Sequence, residues 1–95
     1  MIISFKCKQT QKLFDGIYQK KFSQAVNNIG KRKLDMLHAS FDESDLRIPP
    51  SNRFEHLKGN LKGFCSIRIN DEQFRVIFHF ENSNAYDVYI DDYHK

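Results

Sequence analysis

The side chains best suited to chemistry stand at the C-terminus and in the second half of the chain. The sequence ends Asp92-Tyr93-His94-Lys95, and an aromatic ring and an imidazole at a polar terminus bury too little surface to be explained by core packing. Upstream, Lys58 precedes a glycine, and Arg68 and Arg75 interrupt runs of alternating polar and apolar residues. Cations suit a phosphate, a ring stacks on a base, and an imidazole moves a proton. Brought into one cleft by a sheet, this set would suit a phosphodiester.

Arg75 is the cation whose position most needs an explanation. It stands in the middle of an apolar, strand-like run, where a charge is less common than in a turn and needs a partner. That partner could be a scissile phosphate held by the guanidinium fork, or a carboxylate such as Asp87 or Glu55. Arg68 has the same two explanations, and its position alone ranks it below Arg75.

The other candidates also have structural explanations. His94 suits proton transfer because an imidazole titrates near neutral pH, whereas the alternative is a frayed terminal residue. Tyr93 could stack on a base or bind a phosphate through its hydroxyl, or it could close a sheet edge. Lys58 could point into a cleft or be a solvated turn lysine. His38 and His56 fit structural or solvent-facing roles better than catalytic ones.

Length and composition narrow the class of protein. Ninety-five residues are enough for one domain with one modest core, spanning residues 1–95. The sequence has no apolar run long enough for a membrane span and no signal peptide, which favours a cytoplasmic protein without membrane contact. Cys7 and Cys65 form no CxxC motif and no Cys/His cluster, so we expect two reduced thiols, no metal site and no cofactor.

Charge is distributed unevenly along the chain. The formal net charge is +3, but residues 1–70 carry thirteen Lys and Arg against six Asp and Glu, whereas residues 71–95 carry two against six. A basic body can attract RNA or a ribosome surface by counterion release. The plainer alternative is that these cations solvate helix faces.

Periodicity and capping signals predict an α+β fold. The 3.6-residue pattern and Ser23 as a cap predict a long helix, and Thr10 as a cap with Gly16 as a stop predicts a short one before it. After the Pro49-Pro50 pair the period changes to two. The predicted elements are a strand at 2–5, helices at 10–14 and 23–39, an ordered loop at 40–52, and strands at 54–57, 64–70, 73–80 and 86–90.

Alternation along the later strands predicts one core face and one wet face. The core face comprises Cys65, Ile67, Ile69, Phe74, Val76, Phe78, Phe80, Tyr86, Val88 and Ile90. The wet face comprises Ser66, Arg68, Asn70, Arg75, His79 and Tyr89. An antiparallel sheet can leave one face solvated, so the predicted fold is β-α-α followed by an antiparallel β-meander packed on the two N-terminal helices.

Several short motifs, in this order and at this spacing, resemble the HigB branch of the RelE/ParE toxin superfamily. The matching pieces are Pro49-Pro50-Ser51-Asn52-Arg53, Leu57-Lys58-Gly59, Gly63, Ser66-Ile67-Arg68-Ile69-Asn70, Phe74-Arg75 and Asp92-Tyr93-His94. Each motif is weak alone, but together they cover essentially the whole chain. The resemblance implies the same fold, with a small twisted sheet against two N-terminal helices.

The resemblance implies the toxin of a type II toxin–antitoxin pair, a ribosome-dependent mRNA endonuclease that inhibits translation. Cleavage would be metal-independent, by attack of a ribose 2′-hydroxyl on its own phosphate in the ribosomal A site of the 30S subunit. The family's active site contains the terminal Tyr and His and the lysine of the Leu-Lys-Gly motif, which correspond to Tyr93, His94 and Lys58. Arg75 joins this catalytic set as a candidate because of its position in the strand, with the phosphate as one of its two possible kinds of partner. The implied partner is a HigA-type helix-turn-helix antitoxin, with operator DNA bound only through the complex.

The residue at position 55 differs from the one found in some members of this branch. Some members have a catalytic histidine there, whereas this chain has Glu55 with His56 next to it. Adjacent strand residues face opposite sides of a sheet, so His56 cannot simply replace the missing histidine. Either Glu55 serves as the base or the other residues suffice.

Further cations extend the predicted RNA-binding surface. On the sheet and its connections, we predict RNA contacts from Arg53, Lys62, Arg68 and His79. On the basic N-terminal half, we predict ribosome contacts from Lys6, Lys8, Lys20, Lys21, Lys31 and Arg32.

Two other functions remain open at this stage. A non-catalytic toxin of the ParE kind, acting on DNA gyrase, would have the same fold, because fold does not fix function. Such a toxin does not need the set of Lys58, Arg75, Tyr93 and His94. A decayed toxin kept as a co-repressor is hinted at only by Glu55.

Overall fold

The computed structural model describes residues 1–70 and 74–92. The predicted turn at Asp71 and Glu72, and the residues Gln73, Tyr93, His94 and Lys95, lie outside the described ranges. The helices are α1 (Lys8–Phe14), α2 (Gln24–Ala39) and α3 (Glu43–Leu46), with 3₁₀ turns at Pro50–Asn52 and Gly59–Leu61. The strands are β1 (Glu55–His56), β2 (Cys65–Arg68), β3 (Phe74–Glu81) and β4 (Asn84–Asp92).

The sheet is an antiparallel meander in the order β1-β2-β3-β4. Helices α1 and α2 pack against one of its faces, so the predicted α+β architecture is confirmed. The predicted first strand is wrong in part, because the N-terminal segment makes two isolated parallel bridges to β4, Ile2 to Ala85 and Phe5 to Val88. None of the described helices is both long and apolar enough to cross a membrane.

Helix α2 forms as its capping and periodicity signals predict. The Ser23 hydroxyl accepts a hydrogen bond from the Val26 amide at 3.1 Å, which satisfies a donor that the first turn leaves without an intrahelical partner. Val26 and Leu37 are buried as expected. Leu34, expected only to flank the apolar stripe, is also fully buried.

Helix α1 begins earlier than predicted because its threonine has a different use. Thr10 does not cap the helix, which starts at Lys8 with Cys7 in the N-cap position. Instead Thr10 is fully buried, and its hydroxyl accepts a hydrogen bond from the Ile90 amide at 3.0 Å. A tertiary hydrogen bond to β4 has therefore overridden the local capping preference. Gly16 follows the helix with φ +92°, which confirms it as the stop.

The connection at 40–52 is more regular than the predicted loop. The Asp42 carboxylate accepts from the Asp45 amide, and the Asp45 carboxylate accepts from the Asp42 amide, which forms a capping box that starts α3. An aspartate in the position usually held by Glu or Gln obscures this signal in the sequence.

A β-bulge reverses the faces predicted for the start of β4. Ile77 lies opposite Tyr89, but two residues later His79 lies opposite Tyr86, so the register shifts by one residue. Asp87 adopts φ +54° at this point. Tyr86 is therefore on the outer face beside His79, and the prediction that it shares the core face is wrong, because Ala85 occupies the core position.

The face expected to be wet is covered at its centre. Ser66 and Ile77 are almost wholly buried, and Arg75 is only 7 % exposed. The long Arg75 side chain lies along the sheet and contacts Ser66 and the Arg53 carbonyl, which buries the middle of this face. The prediction of a wet outer face is therefore wrong at its centre, whereas Arg68, His79 and Tyr89 remain partly exposed.

Gly30 lies where α2 meets both α1 and β4. A Cβ at this position would lie 3.3 Å from Ile90 Cδ1 and 3.4 Å from Leu13 Cδ2. We expect Gly30→Val to lower the free energy of unfolding by about 1–3 kcal/mol through overpacking. Gly30→Ala should stay within about 1 kcal/mol of the parent, because better helix propensity offsets a contact that flexible side-chain ends can relieve. Urea unfolding of both variants checks this, and equal stability of the Val and Ala variants would contradict it.

His79 joins β3 to the connection between β1 and β2. Nδ1 lies 2.8 Å from the Gly63 carbonyl oxygen and Nε2 lies 3.1 Å from a Glu81 carboxylate oxygen. Both partners are acceptors, so the doubly protonated ring fits best, and the Gly63 hydrogen bond, followed by that of Glu81, raises the pKa of His79 above 6.5.

This raised pKa predicts a pH-dependent contribution to stability. The stabilisation is fully present below the unfolded-state pKa of about 6.5 and is lost as the pH rises through the higher folded-state value. The difference in unfolding free energy between the parent and His79→Gln should therefore be larger at pH 6 than at pH 9. Denaturant unfolding at both pH values measures it, and a difference that does not change with pH would refute the assignment.

Candidate active site

Arg75 is the centre of the polar arrangement on the outer face. Nε donates to the Ser66 hydroxyl at 2.7 Å, and an Nη atom donates to the Arg53 carbonyl oxygen at 2.5 Å. The same Nη atom lies 3.6 Å from a Glu55 carboxylate oxygen. The sequence suggested Glu55 and Asp87 as carboxylate partners of Arg75. In the described structure Glu55 is such a partner and Asp87 is not.

Local folding brings these partners to Arg75. Glu55 lies directly opposite Ser66 in the β1–β2 pair, so both side chains are on the same face of the sheet. Arg53 ends the 3₁₀ turn at Pro50–Asn52 and adopts a left-handed conformation with φ 47°. The carbonyl oxygen of Arg53 is the one that accepts the hydrogen bond from Arg75.

Glu55 combines access to solvent with a fixed cationic neighbour. Its side chain is 49 % exposed, whereas that of Arg75 is 9 % exposed. The guanidinium is therefore held by Ser66 and Arg53, and the carboxylate faces an open cleft of about 590 Å³ lined by residues 50, 51 and 53–55. A carboxylate in this setting can accept a proton from a bound ligand.

Lys58 and Lys62 lie at the two ends of the 3₁₀ turn that follows β1, and neither lines the cleft of Glu55. Leu57 is buried, and Lys58 begins the 3₁₀ turn at Gly59–Leu61 by accepting a hydrogen bond from the Leu61 amide at 3.2 Å through its carbonyl. The side chains of both lysines are exposed. The buried leucine fixes the connection, which leaves these cations able to approach an anion.

Arg68 extends the positive charge along the outer face. It lies directly opposite Arg75 in the β2–β3 register and is half-buried. Its Nε donates to the Asn70 carbonyl oxygen at 3.2 Å. Two guanidinium-bearing residues thus occupy neighbouring strands, an arrangement that favours a bound anion.

The remaining predicted contacts are more dispersed. The Lys6 ammonium lies 4.8 Å from the centroid of the Tyr89 ring, at the β4 side of the outer face. His79 is bound to Gly63 and Glu81, as described above. The structure does not bring Lys8, Lys20 and Lys21 into this cleft, because they lie on α1 and on the connection between α1 and α2.

The predicted pair Tyr93 and His94 lies outside the described residues. The strand that precedes them ends at Asp92, opposite Phe74, and the residue before it, Asp91, lies opposite Arg75.

A second group of polar side chains lies on the opposite face of the sheet from Glu55, because His56 pairs with Cys65 of the core face. Cys65 Sγ is 3.5 Å from His56 Nδ1, and His56 Nε2 is 3.0 Å from a Glu43 carboxylate oxygen. Their order resembles that of a nucleophile, a base and an orienting acid. However, Cys65 is only 4 % exposed. Burial, and secondarily the negative charge of Glu43, raise the pKa of the Cys65 thiol to about 11. A buried protonated thiol is a poor nucleophile, so His56 is structural and links α3 to the sheet.

Both cysteines are free thiols, as expected. Within residues 1–70 and 74–92, no three His, Cys, Asp or Glu side chains are grouped closely enough to hold a metal ion. His38 also has a structural contact, because its Nδ1 accepts from the Ile2 amide at 3.1 Å.

Sequence reasoning missed two residues that organise the site. Ser66 was placed on the outer face but was given no role, although it anchors Arg75. Asn52 is fully buried, and its side-chain amide donates to the Leu46 carbonyl at 3.0 Å. A polar residue directly after Pro49-Pro50-Ser51 is the signal that could have indicated a loop held by side-chain hydrogen bonds.

Comparisons with known proteins agree with this architecture. The profile of the family described as RelE-like toxin of type II toxin–antitoxin system HigB matches residues 3–94. The chain is 46 % identical over 92 residues to Toxin HigB-1 of Vibrio cholerae, covering 96 % of each chain. It is also 39 % identical over 77 residues to an uncharacterized protein of Haemophilus influenzae, covering 78 % of this chain and 75 % of that one.

Coverage of nearly the whole chain by both the family profile and the Vibrio relative excludes a match confined to one motif. The α+β fold with its four-stranded antiparallel sheet is consistent with that assignment. The chain therefore belongs to the RelE-like HigB toxins of type II toxin–antitoxin systems.

Proposed function

We propose that this toxin is a ribosome-dependent mRNA endonuclease that inhibits translation. The observation that carries the proposal is the pair of Arg75 and Glu55, a buried guanidinium held in place beside a half-exposed carboxylate in an open cleft. Arg53 lines the same cleft, and Arg68 lies directly opposite Arg75 on β2, so both add positive charge near this pair. A base beside a fixed cation is the combination that phosphodiester transfer needs.

The reaction can be assigned to the residues of this chain without a metal ion. Glu55 takes the proton of the ribose 2′-hydroxyl, whose oxygen then attacks the adjacent phosphorus. The bond between phosphorus and the 5′-oxygen breaks, and His94 donates a proton to that leaving oxygen. The products are a 2′,3′-cyclic phosphate and a free 5′-hydroxyl. Lys58 and Arg75 stabilise the negative charge that accumulates on the phosphate oxygens.

Tyr93 completes the proposed site by stacking on a base next to the scissile bond. The cleft around Glu55 is shallow and open, so the chain alone does little to hold the 2′-oxygen in line with the leaving oxygen. Bound in the A site of the 30S subunit, the mRNA would already have that orientation. Five basic residues of the N-terminal half would contact ribosomal RNA: Lys6, Lys8, Lys20, Lys21 and Lys31.

A type II toxin has an antitoxin partner. We propose that the partner here is a HigA-type helix-turn-helix protein, and that operator DNA is bound only through the complex. Binding of the antitoxin should abolish growth arrest whether or not it covers Glu55.

The proposed chemistry predicts a sharp division between two classes of variant. Lys58→Ala, Glu55→Gln and His94→Ala should each reduce mRNA cleavage by about 100-fold or more, because each removes a proton-transfer or charge-stabilising group. Lys12→Ala, an exposed lysine on α1 away from the cleft, should cleave like the parent. Primer extension on a reporter mRNA after brief induction measures cleavage at each codon.

Controls make this experiment decisive. Thermal unfolding of every purified variant shows that a loss of cleavage is not a loss of fold, and a reporter without a start codon tests the need for translation. Cuts confined to translated frames, and lost in the three site variants, are the expected result. Growth arrest without any cuts would reject the nuclease and would favour inhibition of DNA gyrase, which a supercoiling assay detects.

A further inference from the structure

A second and larger cleft, of about 740 Å³, lies on the other side of residue 51 from the Glu55 cleft. One wall is α2, the opposite wall is the segment at 49–51, and the end of β2 at Arg68 and Ile69 closes the floor. The volume is in the range of pockets that hold small ligands. Nothing in the mechanism above uses this cleft.

The charged side chains of this cleft favour an anion. Among the described residues that line it, Arg32, Lys33 and Arg68 carry positive charge and Asp35 carries the one carboxylate. Asp35 is already bound to the Lys31 ammonium at 2.8 Å. In the described part of the chain, no carboxylate lies within ion-pair distance of Arg32 or Lys33, so α2 contributes net positive charge to the cleft.

Lys33 is held in the wall of the cleft. Its ammonium group donates to the side-chain oxygen of Asn52, and Asn52 is itself fixed by hydrogen bonds from its amide to the Leu46 carbonyl and, at 3.1 Å, to the Met36 sulfur. Burial and the neighbouring Arg32 charge both lower the pKa of Lys33. An anion entering the cleft would relieve this unfavourable placement of the charge.

The cleft also has an apolar surface. Ile29 and Met36 contribute it from α2, and Pro49 contributes it from the facing segment. A cation pair beside an apolar wall matches the two chemically different parts of a nucleotide, because the phosphate needs charge and the base presents a flat, weakly polar face.

The two clefts adjoin at Ser51. Ser51 lines both, and Arg68 in the larger cleft lies on β2 directly opposite Arg75, which holds Glu55 at the smaller one. A chain of nucleotides that passes Glu55 can therefore continue past Ser51 towards α2.

We propose that the cleft between α2 and residues 49–51 binds one nucleotide of the mRNA beside the scissile phosphate. Its phosphate lies against Arg32 and Lys33, and its base lies on the apolar wall of Ile29, Met36 and Pro49. This assignment rests on the proposed endonuclease function, and it moves Arg32 from the ribosomal RNA contacts expected from the sequence to an mRNA contact.

The test uses the full chain on ribosomes programmed with a defined mRNA. Arg32→Ala and Lys33→Met are compared with Lys12→Ala, which removes an exposed cation elsewhere on the surface. We expect single-turnover cleavage at limiting toxin to fall about fivefold for each cleft variant, as for the loss of one exposed charge contact, with little change at saturating toxin. Arg32 is exposed, so its replacement does not threaten the fold, and thermal unfolding checks Lys33→Met.

Two further arms identify the ligand. An abasic nucleotide on either side of the scissile bond should weaken cleavage by the parent, and on one of these sides the loss should be smaller for Arg32→Ala, because both changes weaken the binding of the same nucleotide. Binding to programmed ribosomes is also measured with a 2′-deoxy nucleotide at the cleavage site. That readout tests the cleft even if the parent cleaves nothing, which would reject the endonuclease function alone.

Three results would overturn the assignment while leaving the proposed function intact. The first is cleavage and binding by both cleft variants equal to those of Lys12→Ala. The second is an equal loss of binding to ribosomes with an empty A site, which would make the contact one with ribosomal RNA. The third is strict additivity between Arg32→Ala and an abasic nucleotide at both flanking positions.

Discussion

The candidate site depends on one buried guanidinium group. Arg75 is nearly inaccessible, and a charge in that position is costly unless each of its donors has a partner. Ser66 on β2, the Arg53 carbonyl after a 3₁₀ turn and the Glu55 carboxylate on β1 are among those partners. These partners come from three separate segments. Because the buried charge of Arg75 needs all of them, it fixes the 3₁₀ turn and the edge strand β1 against the centre of the sheet. Glu55 and Arg53 therefore have fixed positions, although the strand and the turn that carry them are short and exposed.

A second polar residue has the same organising effect on the neighbouring cleft. Asn52 is fully buried and connects Leu46, Met36 and Lys33 through one amide group. The segment at 49–51 is therefore held against α2 by a side chain and not by a strand. The toxin builds two adjoining clefts, one on the sheet and one on the helix, from two buried polar residues, Arg75 and Asn52.

Much of the fold could be predicted from the sequence because its signals are local. The cap at Ser23, the apolar spacing of α2 and the alternation along β2 and β3 each depend on residues within a few positions of one another. The errors arise where a distant partner decides the outcome. Thr10 is used by Ile90 and not by its own helix, and the bulge at Asp87 moves Tyr86 to the opposite face. Likewise, Glu55 and Asp87 were both possible carboxylate partners for Arg75, and only the strand register distinguishes them.

The contact between the N-terminal segment and β4 has a consequence for the order of folding. The Met1 and Ser4 carbonyls accept hydrogen bonds from Ala85 and Val88, and these pairs are more than eighty residues apart in the chain. The β3–β4 hairpin and α2 contain their own local contacts, so the entropy of loop closure favours their formation first. The N-terminal segment joins β4 through two isolated bridges in place of a continuous strand ladder. It is therefore expected to dock late and to open first, as rapid amide hydrogen exchange at Ile3 and Lys6 would report.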